Sequence, residues 1–136
     1  MLGRLFPYAL WLLSAVLLVW GALGLLEYVS PKISLGLSNP RFPPGMQFLH
    51  FLALFTTGTI FSVGYWLRWF PTPFATIVMY AVLATLCFIE TVDFDAFGSG
   101  PTRFIPMAVE YAAYVALSAY LLRSETIEQH FARQSS

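Results

Sequence analysis

Four runs of this sequence are long and apolar enough to commit the chain to a lipid bilayer. A helix needs roughly 20 predominantly apolar residues to cross about 30 Å of hydrocarbon, and such runs fall at about 5–28, 46–69, 73–93 and 105–123. The expected architecture is all-α: an integral membrane four-helix bundle, antiparallel in up-down-up-down order, with 1–136 as a single membrane domain. Composition agrees. Only 10% of the residues are charged, against about a quarter in a soluble domain that must face water. The formal net charge is zero, which leaves no basic stripe for a nucleic-acid partner. Cys87 is the single cysteine, so no internal disulfide forms.

The boundaries follow from the chain's own punctuation. Pro7 falls in the first turn of the first run, where a missing N–H is tolerated. This run exceeds the 7–15 apolar residues of a secretory signal, and no small-residue cleavage pattern follows it. The segment 30–45 is a loop, because Pro31, Pro40, Pro43 and Pro44 forbid a continuous helix. Its middle, from Lys32 to Leu37, reads as lying along the membrane surface. Pro71 stops the second run, and the tight turn after it makes the second and third helices antiparallel neighbours. The tail 124–136 is polar and is expected to extend the fourth helix briefly before fraying.

Alternating spans put both termini on one side, together with Arg4, Arg68, Arg123 and Arg133, and leave Lys32, Arg41 and Arg103 on the other. The positive-inside rule then favours both termini in the cytoplasm. Helices associate in lipid through small residues. Helix four offers Ala108, Ala112, Ala116 and Ala119; helix two offers Gly58 with Ser62, and helix one Gly21 with Gly24. Packing within one subunit is the preferred reading of these stripes, and a homo-oligomer seam is the alternative.

Ionisable groups inside spans are costly and mark function. Here Glu27 ends helix one, His50 lies near the start of helix two, Glu90 and Asp93 lie near the end of helix three, and Glu110 lies near the start of helix four. The topology gathers all of them into one leaflet, the one away from the termini. Spacing suggests convergent faces: Gln47 with His50 and the deeper Thr57, Cys87 with Glu90 and Asp93, Glu110 with Tyr114. Glu90, Glu110 and His50 are therefore expected to form a hydrogen-bonded group, capped from the loops by Arg41 or Arg103. Glu27 and Asp93 also fit the plainer role of marking the water interface, Thr57 and its neighbours Thr56 and Thr59 that of back-bonding to their own helix, and Cys87 that of inert core.

Sharper site types do not fit. His50 is the only histidine in a span, which excludes bis-histidine haem, and the Glu-x-x-His pairs of a di-iron bundle are missing. No Gly-rich phosphate loop, Ser–His–Asp spacing or paired-cysteine zinc motif occurs. No cofactor or metal is expected, although Glu90, Glu110 and His50 are ligand types that permit a single ion.

The run Gly21-Ala22-Leu23-Gly24-Leu25-Leu26 leading into Ser30-Pro31 and Gly36-Leu37, the exit Trp66-Leu67-Arg68-Trp69 and Glu110 give a whole-chain layout that resembles the DoxX-like small four-helix bacterial membrane proteins. That resemblance implies the bundle, and it carries over no catalytic residue. The sterol-pathway scaffold and emopamil-binding-like families are similar in architecture alone.

The function expected from the residues is that of a membrane accessory or binding protein. Its carboxylate–histidine pocket would be formed by Glu27, Gln47, His50, Glu90, Asp93, Glu110 and Tyr114. It would take a lipophilic ligand with a polar head, or a helix of a larger membrane complex, with membrane lipids as its other partners. One rival is an enzyme on a lipid, isoprenoid or quinone-like substrate, with Glu110 or Glu90 as acid and His50 as base. The other is an oligomeric proton-coupled carrier.

Overall fold

The computed structural model describes residues 2–30 and 32–132. Pro31, one of the loop's helix breakers, and Arg133, one of the charges on the terminal side, lie outside the described residues. The described chain forms α1 (Leu2–Val29), α2 (Pro44–Leu67), α3 (Thr72–Asp93), a 3-10 turn (Pro101–Arg103), α4 (Phe104–Arg123) and α5 (Glu125–Phe131). The fold is all-α, and four of its helices are long and apolar enough to cross a membrane.

Helix boundaries shift from the sequence expectation for local reasons. Helix α1 starts a turn earlier, so Pro7 sits inside it rather than in its first turn. Pro44 occupies the first turn of α2, where its fixed φ suits helix entry. Arg68 ends α2 in the left-handed conformation, φ 51° and ψ 40°, with its N–H returned to the carbonyls of Gly64 and Tyr65. The stop therefore comes three residues before Pro71.

Glycine lets the backbones of α1 and α2 approach closely. A Cβ on Gly21 would lie 2.3 Å from the Phe55 backbone nitrogen, and one on Gly58 would lie 2.3 Å from that of Leu18. Trp11 donates its indole N–H to the Ser62 carbonyl across the same seam. These contacts pair rising numbers on α1 with falling numbers on α2, so the two helices run antiparallel. Helices α2 and α3 do likewise, with Gly64 against Thr72 at one end and His50 against Glu90 at the other. On α3 and α4 the Tyr80 and Tyr114 rings stack at 5.5 Å, and the Tyr111 hydroxyl donates to the Ala84 carbonyl. Phe51 and Phe61 are wholly buried at the centre.

Two expectations fail. The tail does not fray from helix four: α4 stops at Arg123, and Ser124 caps a separate helix by accepting from the Ile127 N–H. Ile127 and Phe131, four apart on α5, are buried beneath α1 and α2, with Phe131 against Phe61 and Tyr65. The alanine stripe of α4 is not packed inside the subunit either, because Ala108, Ala112 and Ala116 are exposed. The Gly21, Gly24 and Gly58 surfaces already bring α1 and α2 together, while α4 contributes mainly its Tyr111 and Tyr114 face.

Candidate functional site

A cavity of about 450 Å³ lies at the loop end of the bundle. Its side walls are apolar and come from the first and last spans: Leu13, Leu17 and Trp20 of α1 face Ala113 and Leu117 of α4. Leu13, Trp20 and Ala113 are also exposed, so the cavity reaches the molecular surface between these two helices. Nearer the termini that seam closes, with the Phe6 and Tyr120 rings 4.2 Å apart.

The polar floor comes from three helices. His50 Nδ1 lies 2.7 Å from Glu90 Oε1, an imidazole-to-carboxylate hydrogen bond between α2 and α3. Glu90 is 6% exposed, so its carboxyl group meets His50 rather than bulk water. The Tyr114 hydroxyl donates to Glu110 Oε2 at 3.2 Å within α4. Gln47 donates its amide to the Asn39 carbonyl, while its own buried Oε1 lacks a partner among the described residues. Gln47, His50, Glu90, Glu110 and Tyr114 all line this one volume. Cys87 is buried within electrostatic range of both Glu110 and Glu90.

The loops cover the polar end. Leu37, Asn39 and Phe42 descend from the first loop, and Ala96 and Phe97 from the second. Phe42 packs edge-on to His50 and to Phe94, joining both loops above the imidazole.

Two expected members lie elsewhere. Glu27 anchors the first loop: it accepts from the backbone N–H groups of Leu35, Leu37 and Ser38 and from the Ser38 hydroxyl. These bonds tie the Leu35–Ser38 part of the loop to the end of α1. Asp93 is exposed and borders a shallow depression with Arg41 and Asp95. Thr57 bonds the Ala53 carbonyl, and Thr59 that of Phe55, so both back-bond along α2.

The expected arginine caps are also spent on another group. Arg41 Nη1 donates to the Asp95 carbonyl at 2.7 Å, and Arg103 Nη1 to the Asp95 carboxylate at 2.8 Å. Asp95 organises the second loop from a left-handed backbone, φ 48°, and sequence reasoning passed it over. Glu90, Glu110 and His50 form two hydrogen-bonded pairs, His50–Glu90 and Tyr114–Glu110, instead of one joint group. Among the described residues no three His, Cys, Asp or Glu side chains gather as ion ligands.

The arrangement holds a carboxylate-oriented imidazole and a tyrosine-bound carboxylate at the base of a greasy slot. Comparison with protein-family models, with curated proteins and with solved structures gives no match.

Proposed function

We propose that this chain is a small integral membrane binding protein that seats a lipophilic molecule between α1 and α4, with the molecule's polar head on the Glu90–His50 and Glu110–Tyr114 pairs. One observation carries this reading: five acceptor- and donor-bearing side chains from three helices line a single apolar-walled cavity of about 450 Å³. Ligand pockets combine such walls with a few converging polar groups.

The floor is rich in acceptors. Gln47 Oε1 is buried and unpartnered among the described residues, and each carboxylate spends one oxygen on its hydrogen bond to His50 or Tyr114. Both nearby arginines are held by Asp95. The favoured head is therefore a hydrogen-bond donor, such as a hydroxyl or an amine, and not an anion. The exposed flanks Leu13, Trp20 and Ala113 support entry from the bilayer side. We place the site in the leaflet away from the termini, with both termini cytoplasmic in a bacterial inner membrane, and keep kinship with the DoxX-like group as part of the proposal. A helix of a larger membrane complex would use the same slot.

An enzymatic reading draws support from the His50–Glu90 bond, since a carboxylate on Nδ1 orients an imidazole for base chemistry at Nε2. Glu110 would then supply the proton. Glu110→Gln and His50→Gln separate the readings. Loss of lipophile retention in detergent supports binding; turnover of a lipid, isoprenoid or quinone-like substrate with a bell-shaped pH profile supports the enzyme. If Glu110→Gln leaves both retention and complex assembly at the wild-type level, the proposed site has lost its centre.

A further inference from the structure

A second cavity sits at the opposite end of the molecule, and its chemistry is the reverse of the first. A volume of about 460 Å³ lies where the start of α1, the end of α2 and α5 meet. Its polar lining residues include Arg4 and Arg68, the hydroxyl-bearing Tyr8, Tyr65 and Thr126, and Gln129. All of these donate hydrogen bonds, and no carboxylate is among the lining residues. Among the described residues neither Arg4 nor Arg68 joins an ion pair.

The wall is fixed in place. Ile127 and Phe131 bury the inner face of α5. His130 donates from Nε2 to the Tyr65 carbonyl at 2.7 Å and stacks on the Tyr65 ring at 4.0 Å. Arg68 supplies a separate clue. It occupies the left-handed position that ends α2, where glycine is strongly favoured because a Cβ is strained there. An arginine at such a backbone position keeps a side chain at a conformational cost. At the same end Trp66 and Trp69 are exposed, and tryptophan is enriched at the headgroup level of membrane proteins, which fits a cavity near the depth of lipid phosphates.

We propose that this cavity binds a phosphate group, with Arg4 and Arg68 as its charged donors. Guanidinium forks match phosphate oxygens in geometry and charge. The site is separate from the lipophile slot: both draw on α1 and α2, but at opposite ends of these helices and with charged groups of opposite sign.

The test uses the purified full chain in a neutral maltoside detergent and reads its thermal midpoint with three probes: inorganic phosphate, dioctanoyl phosphatidic acid, and dioctanoylglycerol, which has the same chains without the phosphate. Phosphatidic acid is expected to raise the midpoint, with apparent affinity falling about tenfold for each of Arg4→Gln and Arg68→Gly and unchanged in Arg123→Gln. Arg68→Gly relieves the backbone, so its ligand-free midpoint is expected to hold or rise, which separates lost binding from lost folding. Stabilisation by phosphatidic acid alone assigns the site to a lipid headgroup; stabilisation by inorganic phosphate as well assigns it to soluble phosphates too. An equal shift with dioctanoylglycerol, an undiminished shift in the Arg4→Gln/Arg68→Gly double variant, or no shift with either phosphate probe overturns the proposal.

Discussion

Replacing Gly21 by alanine tests the packing that holds the first two spans together. The added Cβ would lie 2.3 Å from the Phe55 nitrogen, 2.7 Å from its Cα and 2.8 Å from the Phe51 carbonyl oxygen, all backbone atoms that no rotamer change can move. Ordinary contact begins near 3.4 Å, so α1 and α2 must part locally by about 1 Å. A gap of that size forfeits roughly a quarter to a half of the dispersion energy along the seam, and overpacking of this kind typically costs about 1–3 kcal/mol. Gly45 is the internal control. It lies in the first turn of α2, and a Cβ there meets nothing within 4 Å, so Gly45→Ala should stabilise slightly through helix propensity, by less than the roughly 0.5–1 kcal/mol of a mid-helix glycine. Reversible unfolding in mixed micelles of dodecyl sulfate and a mild detergent, followed by circular dichroism, measures both. The same substitution is expected to give opposite signs at the two positions. Equal effects would refute the claim that glycine sets the α1–α2 distance.

Other perturbations have defined outcomes. His50→Ala leaves Glu90 buried without its partner and should cost about 1–3 kcal/mol in the same unfolding assay, whereas a His50→Phe/Glu90→Leu double variant should recover most of that loss; no recovery would mean that the pair is not the source of the cost. Glu27→Ala removes the acceptor shared by three loop amides, so hydrogen exchange at Leu35, Leu37 and Ser38 should speed up while the helix cores stay protected; unchanged exchange there would contradict the anchoring role. Ile127→Ala empties a site that is 1% exposed and should cost about 2–4 kcal/mol. It should also open the segment after Arg123 to protease, and wild-type resistance would show that α5 is not docked by that side chain.

The spans were legible because their signal is a length: four apolar runs at bilayer thickness need no tertiary knowledge. Most of the candidate site was legible for a related reason. Once helices alternate, the end of α3 and the starts of α2 and α4 must share one end, and i, i+3 or i, i+4 spacing turned Gln47 with His50, and Glu110 with Tyr114, toward one volume. What stayed hidden depends on loop paths. Nothing in the order of residues says that Glu27 meets the amides of the following loop, or that Arg41 and Arg103 converge on Asp95 at a left-handed backbone position. Helix α5 did leave a signal, a capping serine at 124 followed by Ile127 and Phe131 four apart. The polar residues between them masked it in a search for apolar runs. The alanine stripe of α4 misled because small size permits close packing without requiring it.

Occupancy of the slot between α1 and α4 by a lipophile is tested most directly by filling that slot from its exposed edge. Ala113 lines the cavity and is exposed, so Ala113→Trp blocks the volume without entering a packed helix seam. The measurement is mass-spectrometric identification of apolar molecules that co-purify with wild-type and Ala113→Trp protein from the same membranes. A donor-headed lipophile is expected to be enriched on the wild type and absent from Ala113→Trp at equal folded yield; the same molecules at the same abundance on both proteins would rule out occupancy of the slot.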